Sequence, residues 1–319
     1  MNLLRTIART PSVYTMRGAL FNLVERLDGY RHEKAHFKKT VGYEPHVYAP
    51  RTLNEKIVWK KLFDRNPLLP LTVDKYRVRD YVRHVLGEEA GNAILAPLLF
   101  TTDDPSTIPF DTLPEEYVIK TNHGGGQVII VTKDAPVDRD AAVRQLRAWL
   151  AYPYSLFEHE WAYWPVKRRV VVEGLLREAD GDLVQDYKLH IFHGKCRFIH
   201  TTPKKNAERS GKRSLFTPEW QLMPVGWLYK ETAYVEPPPA LAEMIRIAEA
   251  LAAPFPYARV DLYNPHGKVY LGEITHYHGG GYEPFYPESF DFEAGSYWHV
   301  VPGYWKLPDY APWRAFAAS

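Results

Sequence analysis

Residues 257–283 read YARVDLYNPHGKVYLGEITHYHGGGYE, and the fold turns on how this stretch is read. An apolar, β-rich run from Tyr257 to Tyr263 breaks at Asn264, Pro265, His266 and Gly267, all turn formers. A second run, Lys268 to Thr275, leads into the glycines Gly279 to Gly281. Two β-rich runs around a Pro/Gly turn predict a hairpin. This hairpin carries Arg259, Asp261 and Glu273 where a plain core hairpin would not. Buried carboxylates are costly unless paired or bound to a metal. Two of them on adjacent strands can share a hard cation such as magnesium, which takes oxygen ligands and often keeps a nucleotide phosphate among them. Arg259, two residues before Asp261, shares its strand face and can hold a transferring phosphoryl group. The plainer alternative is an Arg259–Asp261 ion pair with Glu273 in solvent. Register decides between faces. A clean four-residue loop puts Asp261 and Glu273 on opposite faces, whereas a three- or five-residue loop or a bulge puts them on one.

Composition sets the frame. At 319 residues the chain can form one large domain or two and bury a sizeable core. Its 45% hydrophobic and 24% charged content is that of a soluble globular protein, and a net charge of +2 gives no field that would favour nucleic acid as a partner. The 22 Tyr and 9 Trp suit binding clefts, sugar sites included, as well as plain packing. The single cysteine, Cys196, excludes an internal disulfide and reads as a small buried strand residue rather than a nucleophile. No apolar run reaches the ~18 residues of a spanning helix, so no transmembrane segment is expected. The opening stretch lacks a long apolar core and a small-residue cleavage site. No signal peptide is therefore expected, and a cytoplasmic enzyme is the default. Arg5, Arg9 and Arg17, set among apolar neighbours, suit a membrane surface or a solvated helix face.

Along the chain, helical spacing of Leu20, Leu23, Val24 and Leu27 predicts a helix over 13–38, and Thr52 with Glu55 forms a capping box for a second over 54–63. Asp74 opens a third, DKYRVRDYVRHVLG, which stops at Gly87 and carries Lys75 in its first turn. Lys75 there is a solvated lysine or a phosphate contact. Residues 101–115 read as a loop, followed by strands 117–121 and 127–132. Between these lies TNHGGG (121–126), which is either a flexible hairpin tip or a glycine loop whose bare backbone N–H groups approach phosphate oxygens, with Lys120 pointing a cation at the same place. A helix is expected over 138–150. Glu173 sits in a strand, RVVVEGLL (169–176), either facing water or accepting hydrogen bonds from a ribose while neighbouring backbone meets an adenine edge. A hairpin over 184–202 turns at His193-Gly194 and aligns Asp186, Lys188 and His190 on one face by alternation. Residues 203–214 form a basic loop, solvated or facing an acidic substrate. A helix spans 240–253, and the aromatic, Pro-rich C-terminal tail is expected to wrap the surface.

The order of these pieces resembles the ATP-grasp superfamily, and within it the TupA-like ATP-grasp family associated with teichuronopeptide and other cell-surface polysaccharide synthesis. The matching blocks are NEKIVWKKL (54–62), DKYRVRDYV (74–82), YVIKTNHGGG (117–126), VVVEGLL (170–176), DYKLHIFHGK (186–195) and RVDLY…VYLGEIT (259–275), covering most of the chain from about residue 50 to about 300. The resemblance implies an α+β ATP-grasp fold: antiparallel sheets, a small nucleotide lid and a helical N-terminal region. The corresponding segments are 1–50 (helical region), 51–110 (first part of the ATP-grasp domain), 111–172 (lid) and 173–319 (C-terminal subdomain with the metal site), with ATP between the lid and the larger sheet. It implies that Lys75 and Lys120 hold ATP phosphates and that His123, Gly124, Gly125 and Gly126 close over them. Glu173 and Leu175 then line the nucleotide hinge, Lys188 makes a further phosphate contact, and Arg259 steadies the phosphorylated intermediate. Asp261 and Glu273 become ligands of Mg2+. The superfamily often has Asn two residues after the second carboxylate; here Thr275 stands there, so Thr275, His276 or water completes the site.

The implied chemistry is ligation. ATP phosphorylates a carboxylate, and an amine attacks the acyl phosphate. The expected substrates are a small-molecule or saccharide carboxylate, such as a sugar acid of polysaccharide biosynthesis, and an amino acid. The same nucleotide residues would serve a kinase acting on a sugar hydroxyl. A non-catalytic polysaccharide-binding protein would lack the lysines or the metal carboxylates, and here all are present.

Overall fold

The computed structural model describes residues 11–202, 204–205, 208–209 and 213–319. Arg5, Arg9 and half of the basic loop 203–214 lie outside them. In chain order the elements are helices α1 (Pro11–Leu27), α2 (Arg31–Val41), α3 (Leu53–Phe63), α4 (Leu68–Val73), α5 (Val78–Leu86) and α6 (Glu88–Ala93). Strands β1 (Leu98–Thr102), β2 (Tyr117–Thr121) and β3 (Val128–Val131) come next, then α7 (Arg139–Ala151), β4 (Val170–Gly174), β5 (Tyr187–Phe192) and β6 (Lys195–Thr201). Short strands β7 (Lys204–Lys205), β8 (Glu208–Arg209), β9 (Ser214–Phe216) and β10 (Gly226–Trp227) precede α8 (Leu241–Ala252). The chain closes with β11 (Tyr257–Tyr263), β12 (Tyr270–Thr275), β13 (Phe285–Tyr286), α9 (Ser289–Ser296) and α10 (Ala311–Ala318).

The chain divides into two compact units. The first comprises Met1–Glu33, Pro70–Arg77 and Ala96–Leu175. Its sheet runs β1-β4-β2-β3, every pair antiparallel. Alternation in β2 buries Tyr117, Ile119 and Thr121 and turns Val118 and Lys120 to the other face. Tyr117 and Ile119 join Val131, Leu146, Val170 and Val172 in one core, so α7 is held by its Leu146 side. Asp138 caps α7 by accepting the N–H of Ala141.

The second unit comprises Lys34–Leu69, Val78–Leu95 and Leu176–Ser319. Its sheet runs β12-β11-β5-β6-β9, antiparallel throughout. Helix α8 packs on β5, β6 and β11 through a buried side that includes Met244, Ile247, Ala248 and Leu251. Helix α3 begins with the expected Thr52–Glu55 capping box. It is buried nearly all round, and its Lys60 donates to the Tyr257 carbonyl at 2.7 Å, with burial pulling that lysine's pKa down to about 8. A helix apolar only on one stripe could not be enclosed this way; α3 is enclosed because its lysines find carbonyl and ring partners.

Three expectations change. The helix predicted over 13–38 is two, because Gly29 and Tyr30 both take positive φ (73° and 61°) between α1 and α2. The third helix begins at Val78, not Asp74, since the Asp74 side chain accepts the N–H groups of Tyr76 and Arg77 in a turn of its own. The C-terminal tail does more than wrap the surface, for Phe290, Trp298, Trp305 and Tyr310 are buried while α10 has no buried residue.

Candidate active site

The two sheet units each gather part of the residue set read from the sequence. In the second unit, the β11–β12 register pairs Tyr263 with Tyr270 and Leu262 with Leu271, then jumps so that Asp261 faces Glu273 and Arg259 faces Thr275. Gly272 is the extra residue of a bulge, and it puts both carboxylates on one face. An ideal Cβ at Gly272 would sit 3.1 Å from ring atoms of Tyr263, so the bulge packs closest where the side chain is missing. On the other side of β11, Lys188 pairs with Asp261 and His190 with Arg259. Two rows result across three strands, Lys188–Asp261–Glu273 and His190–Arg259–Thr275.

Arg259 links the rows. Its Nε donates to Asp261 Oδ1 at 2.6 Å and its Nη2 to Oδ2 at 2.7 Å, a bidentate pair. Nη2 also reaches Thr275 Oγ1 at 3.0 Å and Glu273 Oε1 at 3.3 Å, while Thr275 donates to Glu273 at 2.7 Å. Lys188 Nζ is 3.0 Å from Asp186 and 3.9 Å from Asp261. The Arg259 and Asp261 side chains are 9% and 7% exposed, and Glu273 is 37%. Burial pushes the Asp261 pKa above the usual carboxylate range, held back by Arg259 and Lys188. Burial works against the Arg259 charge too, but the contacts with Asp261 outweigh it and the guanidinium stays cationic. The Arg259–Asp261 ion pair of the plainer reading thus exists, but inside the cluster, with Glu273 attached to it.

A further layer was not read from the sequence. His278 accepts a hydrogen bond from Arg259 Nη1 through Nδ1, and its Nε2 is 2.9 Å from Glu283 Oε2. Arg213 grips Glu283 with both nitrogens, at 2.5 and 3.0 Å. Burial lowers the His278 pKa to about 4, so the ring is neutral near pH 7; since an arginine only donates, its proton sits on Nε2, toward Glu283. Burial works against the Glu283 charge, but His278 and Arg213 hold its pKa well below the usual range. The signal available in sequence was slight: a His and a Glu flanking the three glycines just past Glu273. Beside this layer, His190 bridges Tyr257 (2.9 Å) and His200 (3.0 Å), all buried.

In the first unit, Asn122 pins the start of the glycine loop. Its side chain donates to Asp74 Oδ1 and to the Lys167 carbonyl, both at 2.9 Å, and accepts the Arg169 N–H at 2.8 Å. The Lys75 N–H donates to the Asn122 carbonyl at 3.0 Å, and Lys75 Nζ reaches the Gly124 carbonyl at 2.9 Å. Lys75 therefore belongs with the loop, from a turn rather than a helix start. Gly125 lies under the Tyr154 hydroxyl, and Gly126 has φ 71°. His123 is buried, with Nε2 3.4 Å from the Tyr152 carbonyl, and burial lowers its pKa to about 4. It is a neutral anchor at the base of the loop, not a cation aimed at a ligand. Lys120 Nζ is 2.5 Å from Glu173 Oε2 across β2 and β4, so the expected phosphate lysine and hinge carboxylate are one ion pair. Leu175, just past β4, is half-buried.

Among the described residues no group of three His, Cys, Asp or Glu side chains is arranged to hold a metal. The donors at Asp261, Glu273 and Thr275 are all oxygens, which fits a magnesium ion that takes one or two carboxylates and draws the rest of its shell from phosphates and water. Among the same residues, no helix is long and apolar enough to cross a membrane. Cys196 is buried and its thiol pKa is pushed up by burial, in line with a packing role.

Several solved structures resemble the chain. They include D-alanine–D-alanine ligase from Bacillus anthracis (18% identity over 65% of this chain and 57% of that one, TM-score 0.40). The L-amino acid ligase from Bacillus licheniformis gives 15% identity over 68% and 45%, with TM-score 0.42. D-alanine–D-alanine ligase from Helicobacter pylori gives 14% over 71% and 56%, with TM-score 0.37. The chain spans only 57% of the first of these ligases, and at such scores and identities no residue role is transferred from them. No curated protein sequence matches the chain. The family profile of TupA-like ATP-grasp proteins matches residues 55–299, a span that takes in the glycine loop, the Lys120–Glu173 strands and the bulged carboxylate hairpin. The chain belongs to the TupA-like ATP-grasp family and has the α+β, antiparallel ATP-grasp fold.

Proposed function

We propose that the protein is an ATP- and Mg2+-dependent carboxylate–amine ligase that joins an amino acid to a sugar acid or related cell-surface polysaccharide precursor through an acyl phosphate. The observation that carries this reading is the bulged register, which sets Lys188, Asp261 and Glu273 in one row with Arg259 and Thr275 beside them. That is a cluster of hard oxygen donors next to two cations, the set that phosphoryl transfer needs. Bound magnesium, held by Asp261, Glu273 and Thr275 together with nucleotide phosphates, would neutralise charge on the transferring group.

The chain's own residues have the following proposed shares. Lys75 and Lys120 bind phosphate oxygens, and the loop His123–Gly126 covers them with backbone N–H groups, His123 fixing its base. Glu173 and Leu175 meet the ribose and adenine. The substrate carboxylate oxygen attacks the γ-phosphorus, the bond to the β–γ bridging oxygen breaks, and ADP departs. Arg259 and Lys188 stabilise the oxyanions of the resulting acyl phosphate. The amine nitrogen then attacks the acyl carbon, inorganic phosphate leaves, and the amine's proton goes with it. Closing the glycine loop keeps water from the acyl phosphate. Dependence on ATP puts the reaction in the cytoplasm. The sugar acid is suggested by the family's setting and by the many Tyr and Trp side chains.

The test is ADP release from Mg-ATP with uronic acids and amino acids, singly and in pairs. The expected result is ADP only when a carboxylate and an amine are both present, and a hydroxamate when hydroxylamine replaces the amine. ADP formed with a neutral sugar alone would overturn the ligase in favour of a kinase.

A further inference from the structure

Helix α1 has two faces of opposite habit. One is docked within its own unit. Gly18 packs on Leu156, Phe21 stacks on His159 at 5.5 Å, and Asn22 donates to the Leu156 carbonyl at 2.9 Å. Glu25 is buried there too, accepting the N–H groups of His32 and Glu33 at 3.0 and 2.9 Å. The opposite face carries Met16, Leu20, Leu23, Val24 and Leu27, from 50% (Val24) to 77% (Leu27) exposed. Their spacing of three and four makes a continuous ridge about 17 Å long. The helix is amphipathic in the wrong sense for water, since what it turns outward is its apolar stripe.

The charges on this face are of one sign. Arg17 and Arg26 are exposed and lie on opposite flanks of the ridge at 100° per residue. The helix's sole carboxylate, Glu25, is buried on the docked face, and Asp28 stands beyond the helix end. Residues 1–24 contain no Asp or Glu at all and add Arg5 and Arg9 to the same segment. We propose that α1 is an interfacial anchor that lays this ridge into an anionic lipid surface, Arg17 and Arg26 meeting the phosphate headgroups while the five apolar side chains enter the acyl boundary. Charge complementarity favours this occupant over a second copy of the chain. A second copy would bring the same two arginines to the flanks of the seam, and neither copy offers an exposed carboxylate on the helix to answer them. The anchor is independent of the nucleotide chemistry and lies on, rather than across, the membrane.

The test is co-sedimentation of the full chain with phosphatidylcholine vesicles, with and without phosphatidylglycerol, alongside sedimentation velocity without lipid. Binding is expected only with phosphatidylglycerol and is expected to weaken at high salt. Leu20→Glu/Leu27→Glu should weaken it roughly a hundredfold or more. Arg17→Gln/Arg26→Gln should weaken it about thirtyfold, about fivefold per arginine. These side chains are exposed, so far-UV circular dichroism and Tm should match the parent; should the leucine variant misfold, the arginine variant carries the test. Equal binding to neutral vesicles, no binding at all, or undiminished binding by both variants overturns the proposal. So does a lipid-free dimer that Leu20→Glu/Leu27→Glu dissolves, which would assign the ridge to a second copy.

Discussion

Replacing Arg259 with Leu is expected to destabilise the second unit by about 3–5 kcal/mol near neutral pH, because it leaves the Asp261 carboxylate buried without its bidentate partner. The structure narrows that figure. Among the described residues Asp261 then keeps the Lys188 cation, at 3.9 Å, and burial already pushes its pKa up with Arg259 in place. Without the guanidinium it rises further, and the carboxylate can escape the penalty by taking a proton. The sign follows: a folded-state pKa above the unfolded value means the folded state binds protons more tightly, so the variant's stability falls as pH rises from the unfolded pKa through the folded one. The defect should be largest at mildly alkaline pH and shrink toward pH 5. Asp261→Leu should cost less, about 2–3 kcal/mol, since Arg259 retains Thr275 at 3.0 Å and the half-exposed Glu273 at 3.3 Å. The double variant Arg259→Leu/Asp261→Leu should regain most of the loss, as buried ion pairs replaced by apolar side chains of similar volume usually do. Urea unfolding followed by tryptophan fluorescence, at alkaline and at acid pH, gives all three values. ATP turnover should be absent in each, so stability and activity come apart in the double variant. A double variant no more stable than the worse single, or an Arg259→Leu defect that does not change with pH, would refute the reasoning.

Other consequences are nearer the chemistry. Glu273→Gln should abolish ATP turnover while changing stability by less than about 1 kcal/mol, because this carboxylate is half-exposed; full turnover would remove it from the metal site. Lys120→Ala should weaken nucleotide binding at least about tenfold in calorimetry and cost about 1–3 kcal/mol by breaking its pair with buried Glu173; unchanged affinity would take Lys120 out of the phosphate site. Gly272→Ala brings a Cβ to 3.1 Å from the Tyr263 ring, so a loss of about 1–2 kcal/mol and of turnover is expected, relieved by adding Tyr263→Ala; no relief would mean that the ring does not set the bulge. Burial holds the His190 and His200 pKa values well below 6.5, so both stay neutral in the fold and protonate only on unfolding. The stability they contribute is whole above the unfolded pKa and is lost as pH falls below it, at about 1.4 kcal/mol per pH unit for each. Urea titrations between neutral and mildly acid pH should show a shallower slope in His190→Leu/His200→Leu than in the parent, and an equal slope would refute the assignment.

Local chemistry was legible in the sequence wherever it closes over a few residues. The Thr52–Glu55 box, the strands around TNHGGG and the turn at Asn264–Gly267 each depend on neighbours three to five positions away, and each appears where the residues point. The order of the lysines, the glycine loop and the carboxylates was likewise readable, as a property of the chain alone. Tertiary structure decided the rest. Period-two alternation could not choose the face of Glu273, because one unpaired residue reverses it; the bulge at Gly272, packed against Tyr263, made that choice. Helical spacing found the apolar stripe from Leu20 to Leu27 but could not say whether anything covers it or that Met16 extends it, since periodicity marks a face and not its neighbour. His278, Glu283 and Arg213 became one support for Arg259 only when separate loops met at it, and no spacing in the chain records that meeting.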